Sequence, residues 1–313
     1  MSGRILVVGS LNADLVVRVD RFPEPGQTVL GRDFALFPGG KGANQAYAAA
    51  RLQGRVEMIG GVGADAYGAM LTENLRSAGV DVTGVARHGA STGVALITVD
   101  DAGQNEIVVA AGANGLLTRE QLMRERDRFA GASVLLVQLE VPLSAVRAAM
   151  EMARDAGACV ILDPAPAVRG AEGLLELADY VTPNESELAA LADAGGAAGS
   201  LDEAASQARS LLSRGARSVV AKLGSRGALL VSSSGEAFWP VVPVASVDTT
   251  AAGDVWNGAF ATALAEGRAV GDAGVFASAA AAFSVTRRGA QPGMPTRQEL
   301  AAWQAEREQG RSQ

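Results

Sequence analysis

Toward the C-terminal end of the chain runs Asp248-Thr249-Thr250-Ala251-Ala252-Gly253-Asp254-Val255-Trp256-Asn257-Gly258, a loop of small residues leading into a helical pattern. Small side chains leave the backbone N–H groups of Ala252, Gly253 and Asp254 open to an anion, and the helix dipole favours negative charge there. Asp254 beside such an anion hole suits a base that takes the proton of an attacking hydroxyl while a phosphoryl group passes to it. The helix terminus is expected to keep that carboxylate ionised and weakly basic. Phosphoryl transfer tolerates a weak base, because positioning and charge stabilisation carry most of the rate. The same residues also describe an N-cap aspartate followed by packing glycines.

A second candidate is Phe37-Pro38-Gly39-Gly40-Lys41-Gly42-Ala43-Asn44-Gln45-Ala46, a Gly-rich turn feeding an Ala-rich helix. Glycines let the backbone approach a ligand, the helix N-terminus offers free N–H donors, and Lys41 and Asn44 project beside them. It is not a Gly-Lys-Ser/Thr phosphate loop, because no such triplet follows at the required spacing. An ordinary helix-initiating loop has the same composition. The first strand ends in Gly9-Ser10-Leu11-Asn12 rather than GxGxxG, which disfavours a dinucleotide-dependent dehydrogenase.

These groups need elements to carry them. Residues 4–9 read as a buried strand ending in glycine, an opening of doubly wound folds. No helix follows directly. Residues 15–19 are β-rich, Phe22-Pro23-Glu24-Pro25-Gly26 turns the chain, and residues 28–30 and 34–37 are expected to be further short strands. A β-rich pair at 93–99 and 106–109 is separated by Asp100-Asp101-Ala102-Gly103, a hairpin signal. Together these segments, about 12–38 and 92–110, predict a small sheet standing off the body as a lid. Beyond about residue 132, strands at 134–139, 159–163, 180–182 and 218–223 alternate with helices at 143–156, 186–192 and 202–214. That is the rhythm of a parallel sheet with right-handed crossovers. Short strands at 228–232 and 236–239 and helices at 253–266, 272–285 and 297–308 complete the chain. The expected fold is α/β: one domain over residues 1–313, with a doubly wound, Rossmann-like, mostly parallel sheet, flanking helices and the β-lid.

Composition narrows the partners. Hydrophobic residues make up 48% of 313 residues, enough for a large core without disulfides or metals. Lys and Arg number 27 against 34 Asp and Glu, a net charge of −7 with no basic block, which disfavours nucleic acid as a partner. An acidic chain that binds a nucleotide must gather positive potential locally. The lone Cys159 lies in an apolar run and reads as a core residue, which fits a reducing cytoplasm. The lone His88 lies in a polar turn and reads as surface. No signal-peptide pattern opens the chain, and the apolar helix at 273–285 is too short to span a bilayer.

The two Gly-rich segments resemble the paired signatures of the ribokinase family of carbohydrate kinases. The likeness extends over about residues 4–300, through Val8-Gly9-Ser10-Leu11-Asn12-Ala13-Asp14, Thr92-Gly93-Val94-Ala95, Ala111-Gly112-Ala113-Asn114 and Gln138-Leu139-Glu140. It continues in Asp163-Pro164-Ala165-Pro166, Thr182-Pro183-Asn184-Glu185, Leu223-Gly224-Ser225-Arg226-Gly227 and Arg287-Arg288-Gly289-Ala290-Gln291-Pro292. The resemblance implies ATP-dependent phosphorylation of the primary 5-hydroxyl of D-ribose. Asn12, Asp14, Gly40, Lys41, Asn44 and Glu140 would hold the sugar, with Asp254 as base and Ala252 and Gly253 in the anion hole. Asn184, Lys222, Gly224, Ser225, Arg226, Gly227 and Gly253 would meet ATP, and Ser278 would lie at the adenine.

Glu187 would act through water on Mg²⁺. Asp248, Thr250, Ser284, Arg287, Gly289 and Gly293 would surround an activating K⁺, mostly through backbone carbonyls. A homodimer formed through the lid strands is also implied. Lys222 replaces a small hydroxyl residue of the family and Ser278 an imidazole, which leaves nucleotide selectivity open. Deoxyribose, fructose, a nucleoside and ketodeoxygluconate are the alternative substrates. A non-catalytic sugar-binding regulator is the alternative class, and the intact Gly253 and Asp254 argue against it.

Overall fold

The computed structural model describes residues 3–311. In β1 (Arg4–Val8), Ile5 and Val7 enter one core and Leu6 and Val8 another, as alternation across a strand buried on both faces requires. The chain then leaves the body through β2 (Asn12–Arg18) and β3 (Asp33–Gly39) and returns in α1 (Lys41–Arg51). Next comes a βαβ unit, β4 (Arg55–Gly63), α2 (Ala66–Ser77) and β5 (Asp81–His88), in a region that hydrophobic patterning had left unassigned. The chain leaves again as the hairpin β6 (Gly93–Val99) and β7 (Asn105–Ala110). Two short helices, α3 (Arg119–Arg124) and α4 (Arg126–Ala130), lead to β8 (Ala132–Val137).

From there the alternation is as expected: α5 (Leu143–Asp155), β9 (Cys159–Leu162), β10 (Tyr180–Val181), α6 (Glu185–Leu191), α7 (Leu201–Ser213) and β11 (Ser218–Lys222). A hairpin, β12 (Ala228–Ser232) and β13 (Gly235–Trp239), precedes α8 (Ala252–Ala265), α9 (Val270–Ser284), α10 (Ala290–Gly293) and α11 (Arg297–Arg311).

The body is a nine-stranded sheet in the order β13-β12-β11-β10-β9-β8-β1-β4-β5, parallel from β5 to β11 and antiparallel in the final hairpin. One face carries α5, α6 and α7 over a core that includes Leu6, Leu135, Val160 and Val219; the other carries α1, α2, α8 and α9 over Ile5, Val7, Leu136 and Ile161. Helices α1 and α8 cross at very short range. A Cβ on Gly258 would stand 2.7 Å from Gln45 O and 2.8 Å from Ala48 Cβ, so glycine is what lets the two backbones meet.

The outlying sheet has the order β3-β2-β6-β7 and is the expected lid. Its register aligns Leu36, Leu15, Leu96 and Val108 in one row, with Phe34 and Val17 in the next row of the same face. Leu96 is 53% exposed, Phe34 65% and Val108 67%. The opposite face carries Asn12 and Asp14. At the base of the lid, Asp65 caps α2 through Gly68 N–H and also accepts from Thr92 N–H (2.8 Å) and the Thr92 hydroxyl (2.6 Å), just before β6.

Three expectations are corrected. Residues 28–30 form no strand: Leu30 is 89% exposed, so no packing rewards an extended segment there. The strand expected at 180–182 is only two residues long. His88 is not in a turn: it ends β5, half-buried, with its Nε2 3.1 Å from Gln121 Nε2. Cys159 is half-buried, and burial with the nearby Asp179 pushes its thiol up to about 12. Among the described residues no helix is long and apolar enough to cross a membrane.

Candidate active site

The turn before α1 lies directly on the turn after β1. Gly40 has φ +89°, and a Cβ there would stand 2.7 Å from Asn12 N; on Gly42 it would stand 2.6 Å from Ser10 N. The approach is fixed by Glu140, which accepts from the Ser10 hydroxyl and from Lys41 N–H at 3.0 Å. Asn114, buried beneath the lid, accepts from Leu11 N–H (2.9 Å) and donates to Asn12 Oδ1 (2.8 Å), which leaves the Asn12 amide N–H groups for a ligand. Asp14 packs against Gly39 on the same side. Burial, reinforced by Glu140 and Asp254, raises its carboxyl to about 7. Burial disfavours the Lys41 ammonium, yet Asp254, Asp163, Glu140 and Glu187 around it outweigh that and raise it above the ordinary lysine range.

The second candidate loop starts α8. Its cap, Ala251, is left-handed at φ 60°, a conformation that costs a residue with a Cβ of order 1–2 kcal/mol. The kink directs the first helical N–H groups into the cleft. Ala252 N–H closes a turn onto Thr249 O at 3.2 Å, so the donors without a protein acceptor are Gly253 and Asp254 rather than all three. Asp254 is buried, its Oδ2 accepting from Asn44 Nδ2 at 3.1 Å and its Oδ1 from Gln45 Nε2 at 3.0 Å. Burial lifts its carboxyl to about 6, against the pull of Lys41, Gln45 and Asn44 and with the push of Asp163. Desolvation thus outweighs the helix terminus, and the group is a stronger base than the helix position alone predicts.

Beside Gly253 opens a cavity of about 460 Å³, walled by Val241, Val244, Trp256, Ala281 and Val285 and floored by Lys222, Gly224, Ser225 and Gly227. Trp256 stacks on Phe260 at 4.8 Å and donates to Ser278 Oγ at 3.3 Å, which holds the indole wall in place. Of the expected nucleotide residues, Lys222, Gly224, Ser225, Gly227, Gly253 and Ser278 line this cavity. Two do not. Asn184 caps α6 through a reciprocal pair with Glu187, and Arg226 is tied to Glu185 and Ala198 O. Lys222 Nζ reaches Asp163 Oδ1 at 2.9 Å. Glu187 is not on a solvated face: it is buried, and burial raises its carboxyl against the attraction of Lys222.

In the loop before α8, Asp248 accepts from Thr250 N–H (2.9 Å) and from Gly289 N–H (2.8 Å), joining that loop to the one before α10. Burial opposes its charge, but the Thr250 hydroxyl and these two N–H groups hold it below the usual carboxylate range. The carbonyl oxygens of Ser284 and Arg287 lie 3.2 and 3.6 Å from where a Cβ on Gly293 would stand, so glycine keeps a small oxygen-lined space open. Among the described residues no group of three or more His, Cys, Asp and Glu could hold a metal ion, so a divalent cation here would need phosphate and water as further ligands.

Among the buried polar residues that went unassigned as site residues in the sequence are Ser10, Gln45, Asn114, Gln138, Asp163 and Gln291. The signal was present for Gln45, the one long polar side chain in the Ala-rich, buried stretch of α1.

A doubly wound sheet with a β-lid over a polar cleft, and an apolar cavity meeting that cleft at a helix N-terminus, defines a kinase of small hydroxylated molecules. The chain belongs to the pfkB family of carbohydrate kinases, whose profile matches residues 2–297. It is 39% identical over 301 residues to the ribokinase of Haemophilus influenzae, covering 96% of this chain and 97% of that protein. Its fold superimposes on ribokinase from Thermotoga maritima with a TM-score of 0.88 at 40% identity, covering 97% of this chain and 100% of that one. For the Arabidopsis thaliana ribokinase complexed with ribose and ATP the TM-score is 0.88 at 33% identity, covering 96% and 98%.

Proposed function

We propose that the chain transfers the γ-phosphoryl group of ATP to the 5-hydroxyl of D-ribose, giving ribose 5-phosphate and ADP. The observation that carries this reading is the position of Asp254: a buried carboxylate between the free N–H donors of α8 and the polar groups beneath the lid. Asn12, Asp14, Gly40, Lys41, Asn44 and Glu140 would surround the sugar, offering its hydroxyls donors and acceptors. A sugar lacking a hydroxyl would leave one of these unpaired. Asp254 takes the hydroxyl proton as the oxygen attacks the γ-phosphorus. The bond to the β–γ bridging oxygen breaks, and the N–H groups of Gly253 and Asp254 stabilise the developing charge. Lys41 and Lys222 add positive charge on the two sides of the transferred group. The adenine fills the cavity beside Trp256.

Mg²⁺ arriving with the nucleotide would screen phosphate charge, with Glu187 reaching its water shell. K⁺ between Asp248, Thr250, Ser284, Arg287, Gly289 and Gly293 would place positive charge behind the anion hole. The apolar outer face of the lid supports a homodimer that pairs this face with a second copy. A reducing cytoplasm fits the single thiol.

The test is ATP consumption by purified protein with Mg²⁺ and K⁺, comparing ribose, deoxyribose, fructose and adenosine, alongside Asp254→Asn. Ribose-dependent turnover that drops by roughly 10²–10⁴ in the variant is the expected result. Preferential use of fructose or adenosine would overturn the substrate. Full activity of Asp254→Asn would overturn the base.

A further inference from the structure

Asp254 lies where two chains of amide side chains converge. In the first, Gln138 Nε2 donates to Gln45 Oε1 at 2.6 Å. The two N–H groups of Gln45 then go to two carboxylates, Asp254 Oδ1 at 3.0 Å and Asp163 Oδ2 at 2.8 Å. In the second, Asn74 donates to Gln291 Oε1, Gln291 Nε2 donates to Asn44 Oδ1 at 3.0 Å, and Asn44 Nδ2 donates to Asp254 Oδ2 at 3.1 Å. Gln45, Gln138 and Gln291 are at most 2% exposed, so water does not compete for these bonds.

The direction of every link follows from its neighbour. An amide has one acceptor end and one donor end. The carboxylates of Asp254 and Asp163 oblige Gln45 to turn its N–H groups toward them, which leaves its oxygen to accept from Gln138; reversed, that oxygen would face two negative groups. The Gln138 oxygen is buried with no partner among the described residues, so the bond to Gln45 is what sets that amide. Likewise, Gln291 donating to Asn44 Oδ1 obliges Asn44 to offer Nδ2 to Asp254. Each oxygen of Asp254 is thereby met by one N–H donor whose amide is held at its other end by a further amide.

We propose that Gln45 and Gln291 are positioning residues that fix the rotation of the Asp254 carboxylate, Gln45 directly and Gln291 through Asn44. This inference rests on Asp254 acting as the base. Gln45 reaches neither lid nor cavity, so its loss changes the attack step and not the capture of sugar. Gln291 acts through a group that also faces the sugar, so its loss touches both.

The experiment is steady-state kinetics of Gln45→Met and Gln291→Met, with thermal denaturation as a check of folding and Asp254→Asn in parallel. Gln45→Met is expected to lower kcat by roughly 10- to 100-fold with KM for ribose within about threefold of wild type. Gln291→Met is expected to lower kcat and raise KM for ribose together. A folded Gln45→Met with kcat within about twofold of wild type overturns the inference. Should Gln45→Met not fold, wild-type kcat in Gln291→Met overturns it. An inactive Asp254→Asn beside a fully active Gln45→Met removes only the positioning role. A fully active Asp254→Asn removes the functional reading itself.

Discussion

At the scale of the residue, Asp254 shows two environments in competition. A helix N-terminus, the positive charge of Lys41 and the donors Gln45 and Asn44 favour its charge, while burial opposes it and brings the carboxyl to about 6. The sign of the consequence is opposite for activity and for stability. The base must be ionised, so kcat is expected to fall as pH drops through about 6, approaching tenfold per unit below that; a flat profile down to pH 5 would contradict it. Folding raises this carboxyl from 3.8, so the native state binds more protons in the window between 3.8 and about 6. Its contribution to stability is therefore lost as pH rises through that window. Asp254, Lys41 and Asn44 were legible in the sequence because glycines mark the loops that bear them. The shift of Asp254 was not, since burial depends on α1, which lies over 200 positions away in sequence but a hydrogen bond away in space.

The element that decides the site is the crossing of α1 and α8, whose N-termini bring Lys41 and Asn44 to Asp254. Gly258 makes the crossing possible. Gly258→Ala places a methyl group against the Gln45 carbonyl and Ala48. It is expected to cost about 1–3 kcal/mol, seen as a lower Tm, and to reduce kcat because the two helix ends move apart. An unchanged Tm would show that the helices have slack there. The strands and helices beyond residue 132 were readable from periodicity because each βαβ unit repeats the same pattern. Residues 55–88 were not. β4 holds three glycines and its last eight residues are buried, so it shows no alternation. The expected strand at 28–30 failed because β-preference is realised through packing against neighbours, and Leu30 stays exposed.

At the scale of the molecule, the lid's outer face is an apolar surface of Leu36, Leu96, Val108 and Phe34 that the described residues leave exposed. Leu96→Glu puts a charge at its centre. The proposed dimer is then expected to sediment as a monomer at micromolar concentration, while the body keeps its Tm to within a few degrees. Wild-type protein that is already monomeric would refute the pairing. The lid itself was anticipated from two β-rich stretches, because hairpin and turn signals are local. Its outer face was not, since that needs the register between strands distant in sequence.

The lid is joined to the body through the segments that carry Asn12, Gly40 with Lys41, and Thr92, the last pinned to Asp65. The mount of the lid and the cradle of the proposed sugar site thus share segments of chain. A ligand gripped by these residues would lock the lid's angle, and sealing the cleft would strip water from lid and floor at once. Isothermal titration of ribose should then register a negative heat-capacity change larger than the apolar area of so small a polyol can supply, with the surplus coming from the protein's own surfaces.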